Sequence, residues 1–374
     1  MSFPEPRAEP DPAPRVNLLG FDRAALETWI AARGARTFHA RQILSWIHRR
    51  GITDFEQMTD LALGLRVRLR EEACCIAPPA AGRVLDPDGT EKWLFQVDSH
   101  NAVETVIIPD EERRTLCVSS QAGCVLNCAF CATGAQGFNR NLTPAEIVGQ
   151  LWRIWHDGAR SSLERPIQNV VFMGMGEPLA NYRALSPVLH LLLDDLAYGF
   201  SKWRVTVSTA GLVPLIDRLA AEHDVSLAVS LHAADDALRD RLVPINRAHP
   251  LAELLAACRR YITRHPEREI LIEYVMLDGV NDQMSDARAL ARLLRTVPAK
   301  VNLIPFNPFP GAAFAPSPES RILAFQKVLV SQGLRTLIRK PRGQAIQAAC
   351  GQLAGSVANR LPDQFRFATP RACA

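Results

Sequence analysis

Three cysteines, Cys124, Cys128 and Cys131, fall within eight residues in a C-x3-C-x2-C spacing, directly after the alternating run 115–119. Three thiolates on one loop can hold three corners of a [4Fe–4S] cube, and the lack of a fourth local ligand leaves one iron open to a small molecule. The same thiols admit a second reading as a zinc site. Structural zinc takes four ligands, often as two separated C-x2-C pairs, and neither a second pair nor a nearby histidine completes that set here. A further chemical word, Gly174-Met175-Gly176-Glu177-Pro178, follows the apolar run 170–173. Glycines there would let backbone approach a ligand, and the carboxylate could accept from an amino group. By itself such a G-x-G is an ordinary turn.

These residues need a scaffold, and the pattern of the chain supplies one. From residue 115 onward, strand-like runs at 115–120, 168–173, 203–208, 225–231, 270–276 and 300–305 alternate with helical stretches near 143–157, 183–197, 211–222, 251–264, 285–296 and 318–332. Thr143-Pro144-Ala145-Glu146 reads as a helix start, with Thr as N-cap, Pro at the first position and an acid in the first turn. Six parallel strands with crossover helices predict an α/β fold, a partial (β/α)6 barrel over 111–343. Ligands in such barrels sit at the carboxyl ends of the strands, where the motifs above fall.

Upstream, residues 1–16 carry five prolines among charges and alanines, which predicts a disordered tail. Over 17–78, Leu26, Trp29 and Ile30 and then Ile43, Trp46 and Ile47 repeat helical spacing. Arg41, His48, Arg49, Arg50, Arg66, Arg68 and Arg70 flank them. That face could grip phosphates or simply be solvated. Residues 79–110 alternate like strands around a turn at Asp88-Gly89, giving a β-rich connector. Residues 344–374 form a C-terminal segment that contains Cys350.

Composition narrows the class without deciding it. The 374 residues are 48% hydrophobic and 22% charged with a net charge of +4, which permits an RNA partner without requiring one. No run of about 18 uncharged apolar residues predicts a membrane span, and no signal pattern opens the chain, so a cytoplasmic location is expected. Nine irregularly spaced cysteines argue against a secreted disulfide framework.

The cysteine spacing, with Gln121-Ala122-Gly123-Cys124, Phe130-Cys131-Ala132-Thr133-Gly134 and Gly137-Phe138, resembles the radical S-adenosylmethionine (SAM) superfamily. Within it the chain resembles the RlmN/Cfr family of RNA adenosine methyltransferases, over about residues 17–360. The resemblance implies one [4Fe–4S] cluster on Cys124, Cys128 and Cys131, with SAM chelated at the open iron and two SAM molecules used per turnover. It implies SAM contacts from Gly176, Glu177, Ser208, Ser230, Leu231, His232 and Asn307. It implies that Cys350 carries the methyl group as S-methylcysteine, that Cys117 is the second redox cysteine, and that Glu104 is the general base. Taken alone, Cys350 would be a small buried residue in a helix and Glu104 an exposed strand glutamate.

A carrier makes chemical sense, because carbon 2 of adenine is electron-poor and does not attack a sulfonium methyl, whereas a thiolate does. The implied substrates are 23S rRNA at the peptidyl-transferase centre and tRNA at the adenosine 3′ to the anticodon. The implied protein is a cytoplasmic monomer reduced by a flavodoxin-type donor. The helical N-terminal domain and the Gly-Glu-Pro word favour C2 over the C8 chemistry of the Cfr branch. Two further readings stand beside these: a zinc-stabilised RNA-binding protein without catalysis, and a radical enzyme acting on a protein or metabolite. The second leaves the basic domain and the Cys117/Cys350 pair without a purpose. Cys74, Cys75, Cys258 and Cys373 match no motif.

Overall fold

The computed structural model describes residues 15–156 and 166–357; most of the expected 1–16 tail and Cys373 lie outside them. The N-terminal part runs through β1 (Val16–Asn17), α1 (Arg23–Ala31), α2 (Phe38–Leu44), α3 (Leu63–Glu72) and β2 (Ala73–Cys74). Val16 pairs with Ala73, so the described structure begins inside the stretch expected to be tail. Next come β3 (Ala80–Leu85), β4 (Glu91–Gln96), β5 (Ala102–Asp110), β6 (Arg113–Cys117), β7 (Gln121–Gly123), α4 (Ala132–Ala135) and β8 (Phe138–Asn141). The remainder alternates: α5 (Pro144–Trp155), β9 (Asn169–Phe172), α6 (Tyr182–Leu193), β10 (Val205–Thr209), α7 (Val213–Glu222) and β11 (Ser226–Ser230). It continues through α8 (Asp236–Leu242), α9 (Leu251–Arg264), β12 (Ile270–Met276), α10 (Met284–Leu293), β13 (Ala299–Pro305), α11 (Glu319–Ser331) and β14 (Arg335–Ile338).

One ten-stranded sheet carries the fold, in the order β14-β13-β12-β11-β10-β9-β6-β5-β4-β3. One expectation changes here: the parallel run from β6 to β14 has seven strands rather than six, because the short basic segment Arg335–Ile338 pairs with β13. The β-rich stretch 79–110 leads directly into the barrel: β5 pairs antiparallel with β6, so its hairpins extend the barrel sheet itself. The sheet stays open at β3 and β14, as a partial barrel must.

Local sequence explains the elements that matter. Thr143 caps α5 in a reciprocal capping box with Glu146, with Pro144 at its start; such a cap is worth about 1 kcal/mol. On β12, strand alternation turns Ile272, Tyr274 and Met276 into the helix-covered core and leaves Glu273 and Val275 for the opposite face.

The N-terminal helices share this core: Leu18, Leu19, Ile43 and Ile47 belong to one cluster with Ile147, Val148 and Leu151. Gly20 permits the contact, since a Cβ there would lie 2.4 Å from the Ala145 amide nitrogen. Trp152 Nε1 donates to the Ile47 carbonyl at 2.8 Å, and His190 Nδ1 lies 2.7 Å from Asp22 Oδ2.

His48 is fully buried at this seam, 3.3 Å from the Tyr198 hydroxyl, and so is not part of an exposed basic face. Arg66 and Arg70 reach Glu56, and Arg68 donates to the Arg33 carbonyl; the cations exposed beside them are Arg41, Arg49 and Arg50. Burial pushes the His48 imidazole down to about 3, helped by the neighbouring His156. The unfolded chain therefore binds the proton first, and stability is lost as pH falls from about 6.5 toward 3, by up to roughly 1.4 kcal/mol per unit for this residue. His223 and His232 are held down in the same sense, while His190 is held up by Asp22 and contributes oppositely. Urea midpoints measured from pH 7 to pH 5 are expected to fall, and His48→Leu should flatten part of that slope; an unchanged slope would remove His48 as a contributor.

Candidate active site

Where the parallel strands end, a cavity of about 950 Å³ including its open mouth collects most of the residues singled out by sequence. Cys124, Cys128 and Cys131 form one wall. Their loop is held at both ends: the Cys124 amide donates to the Gly137 carbonyl at 2.8 Å, and the Cys131 amide to the Cys128 carbonyl at 3.2 Å. Asn127 takes a left-handed φ of 51°, a conformation asparagine tolerates better than most residues. Gly134 lets α4 pack on the loop, because a Cβ there would meet the Cys128 amide nitrogen at 3.0 Å.

Burial pushes the Cys124 thiol up to about 12 and raises Cys128 and Cys131 as well, each neighbour adding repulsion. Three such thiols become thiolates when a cation binds them. Among the described residues no group of three or more His, Cys, Asp and Glu side chains converges on a single ion position.

The opposite wall comes from the strand ends. Gly176, Glu177, Ser208, Ser230 and His232 all line the cavity. The glycines of the Gly174–Glu177 word have a packing reason beyond ligand approach: Cβ atoms at Gly174 and Gly176 would lie 2.7 Å from the Val118 backbone and 2.5 Å from Gln121 Cβ. Glu177 is buried, with its oxygens accepting from the Leu179 and Ala210 amides at 3.1 and 2.8 Å. Burial pushes its carboxyl up to about 7 against those hydrogen bonds. A carboxylate oxygen has further lone pairs, so an ammonium group can still be accepted.

His232, at φ 61°, accepts from the Val275 amide at Nδ1, which leaves its proton on Nε2, and stands edge-on to Phe130. Leu231 does not face the cavity: its side chain is fully buried in the core, its amide donates to the Glu273 carbonyl, and its carbonyl accepts from Arg239. Asn307 is likewise absent from this lining and sits in the adjoining cleft, where its Nδ2 donates to the Cys350 carbonyl at 3.2 Å.

Cys350 reaches the cavity although it is 219 positions from Cys131. It lies in an irregular turn, not the helix its apolar neighbours suggested. The segment is tied to the cysteine loop, with the Ala132 amide donating to the Gly351 carbonyl and the Thr133 hydroxyl to the Leu353 carbonyl. On its other flank Gln352 Nε2 donates to the Pro308 carbonyl at 2.7 Å. Glu104 is buried rather than exposed; it pairs with Lys92 at 3.0 Å and accepts from the Ala354 amide at 3.0 Å, close to Cys350 in sequence. Cys117 ends β6 beneath this corner, a free buried thiol pushed up to about 12 by burial and by Cys350, against the pull of Arg339. Arg339 lines the same corner of the cavity as Cys350 and Glu273, and its guanidinium is held charged by Cys350, by Glu273 and by Cys117.

Sequence reading missed two residues that shape this site. Arg239, on the short helix α8, is fully buried and donates to the carbonyls of Ala210, Ser230 and Leu231, stitching the ends of β10 and β11 together. Glu273 lines the cavity from the middle of β12. The signal for Arg239 was weak, because α8 is short and charged; a lone acid inside the apolar run 270–276 was the available clue to Glu273.

Comparison with known proteins agrees with this geometry. Residues 16–75 match the family model described as the ribosomal RNA large subunit methyltransferase N-terminal domain, and residues 118–291 match the radical SAM superfamily. The chain is 54% identical over 352 residues to the dual-specificity RNA methyltransferase RlmN of Alkalilimnicola ehrlichii, covering 94% of this chain and 97% of that protein. The crystal structure of a radical SAM methyltransferase from Sphaerobacter thermophilus superposes with a TM-score of 0.84 at 44% identity, covering 90% of this chain and 99% of that one.

Proposed function

The chain belongs to the RlmN family of radical SAM methyltransferases, and from that premise we infer that it methylates carbon 2 of an adenosine in 23S rRNA and in tRNA. The observation that carries the reading is the bonding of the Cys350 segment to the cysteine loop through Ala132–Gly351 and Thr133–Leu353, which sets a carrier thiol beside three cluster thiols in one cavity.

A [4Fe–4S] cluster held by Cys124, Cys128 and Cys131 would supply the electron that generates a radical from SAM. The chain's own residues do the rest. The Cys350 thiolate, with Arg339 beside it, displaces the methyl group of one SAM and holds it as a thioether. A second SAM is used for the radical, so two are consumed per turnover. The radical takes a hydrogen atom from the S-methyl group of Cys350, the methylene carbon so formed bonds to the adenine ring, and as Glu104 takes the ring proton the adduct gives up one electron, matching the one spent on SAM. Cys117, having lost its thiol proton, then attacks the Cys350 sulfur; the bond from that sulfur to carbon breaks, the released carbon takes up a proton to become the methyl group of the RNA, and the disulfide left behind is reduced by an external donor, of the flavodoxin type, with two electrons and two protons. Glu177, Ser208, Ser230 and His232 orient SAM, and Asn307 holds the Cys350 backbone.

The target base must leave its stack to reach this cavity, and the exposed cations Arg41, Arg49 and Arg50 serve the phosphate grip. Among the described residues no helix is long and apolar enough to cross a membrane.

Anaerobic protein with reconstituted cluster, given SAM, reductant and an rRNA fragment, is expected to yield 2-methyladenosine by nucleoside mass analysis. An 8-methyl product, or a colourless protein that binds zinc and forms no product, would overturn the reading. Cys117→Ala is expected to stop the cycle before release, so that RNA accumulates covalently bound to the protein through Cys350. Gel analysis of labelled RNA under denaturing conditions reads this directly; free methylated product in wild-type yield would remove Cys117 from the sequence.

A further inference from the structure

Glu273 has no role in the account above, yet it is the most conspicuous unspent group in the cavity. It lines the wall at 4% exposure, on a strand whose flanking residues Ile272 and Tyr274 are fully buried. One carboxyl oxygen, Oε1, accepts from Asn302 Nδ2 at 3.1 Å. The other, Oε2, is buried with no hydrogen-bond partner among the described residues. A buried acceptor left unpaired is costly, and each such group in a native structure calls for an explanation.

Position narrows the explanation. In sheet register Glu273 stands between Ser230 on β11 and Asn302 on β13, so its near neighbour on one side is a residue that orients SAM. From another direction Arg339, which lines the same corner of the cavity as Cys350, faces it electrostatically without closing the open hydrogen bond. The unpaired oxygen thus lies between the cofactor side and the carrier side of one cavity. Two adenosines come to this cavity in the proposed reaction, one in SAM and one in the RNA. Both carry the donors that a carboxylate oxygen lacks here, an exocyclic amine and ribose hydroxyls.

We propose that Glu273 is a ligand-anchoring residue whose free carboxyl oxygen accepts a hydrogen bond from an adenosine bound in this cavity. The inference rests on the proposed function and adds a recognition contact to it. Asn302 fixes the carboxyl group through its other oxygen, so the acceptor is preorganised before the ligand enters. Occupation of the site replaces an unpaired buried acceptor by a charge-assisted hydrogen bond, which favours adenosine over a purine or deoxyribose lacking the donor.

The test uses cluster-loaded protein, with Glu273→Ala and the near-isosteric Glu273→Gln compared with wild type for SAM dissociation constant, RNA binding and melting temperature. If the contact is to SAM, Glu273→Ala weakens SAM binding about tenfold or more while RNA binding is unchanged. If it is to the target base, SAM binding is unchanged and the variants lose the wild-type preference for RNA with adenosine over the same RNA with purine riboside at the target. Either result supports the anchor. Variants that melt as wild type does, bind SAM equally and keep the RNA preference would overturn it. Should the variants fail to fold, wild type decides: equal affinity for SAM, for SAM analogues lacking the amine or a ribose hydroxyl, and for both RNAs also overturns the proposal. Wild type that binds neither iron nor SAM would instead defeat the proposed function itself.

Discussion

Cys350→Ala is expected to abolish 2-methyladenosine formation, by about 10³-fold or more, which is the scale seen when a covalent nucleophile is removed. The size follows from chemistry, because the other thiols that line the cavity among the described residues, Cys124, Cys128 and Cys131, are taken up by the cluster in this reading. Cys117 is buried beneath the corner, does not line the cavity, and is pushed up to about 12 by burial and by Cys350. The loss should leave the scaffold intact. Cys350 lies in a half-buried turn whose backbone contacts, to Asn307 and through Gly351 to Ala132, do not use the sulfur. Iron content and melting temperature are therefore expected to match wild type, and a variant that lost iron together with activity would point to a structural role.

Cys128→Ala is expected to have an equally large effect by a different route. Two remaining thiolates cannot hold three corners of a cube, so iron content after reconstitution should collapse and methylation with it. Burial raises the Cys128 thiol, and its neighbours Cys124 and Cys131 raise it further, so it gains from a bound cation. In the metal-free protein these raised thiols are neutral, so removing one leaves no charge unpaired, and the apo form is expected to melt close to wild-type apo protein. Iron assay, visible absorption and thermal melts separate these effects. Wild-type iron content in Cys128→Ala would break the cluster assignment, whereas lost iron with a collapsed fold would mean that the loop needs the thiol for packing.

The chemistry of the site was more legible in the chain than its geometry. Cys124, Cys128 and Cys131 declare themselves because a cluster requires thiols close in sequence, and the capped start of α5 at Thr143 is written in four consecutive residues. Strand ends at Glu177, Ser208 and Ser230 could be placed because parallel strands bring such positions to one face. Contacts that depend on tertiary registration were not visible. Leu231 sits between two cavity residues, but strand alternation continued through it and turned its side chain into the core. Glu104 reads as exposed because a lone glutamate on a strand usually faces water; what covers its carboxylate is the C-terminal segment, 250 positions away, whose Ala354 amide donates to it. Asn307 bonds the Cys350 backbone across a gap of 43 positions, which no local pattern encodes. His48 reads as part of the basic face because a histidine beside two arginines looks like one, although its helical phase is closest to the buried Leu44, one turn earlier.

The central claim is that Cys350 is the methyl carrier, and peptide mass analysis tests it most directly. Cluster-loaded protein is incubated with SAM bearing an isotopically labelled methyl group, without RNA, and then digested. The account predicts the labelled methyl on the peptide containing Cys350, and its disappearance when RNA and reductant are added and labelled 2-methyladenosine forms. Labelled RNA produced by protein whose Cys350 never carries the label would contradict it.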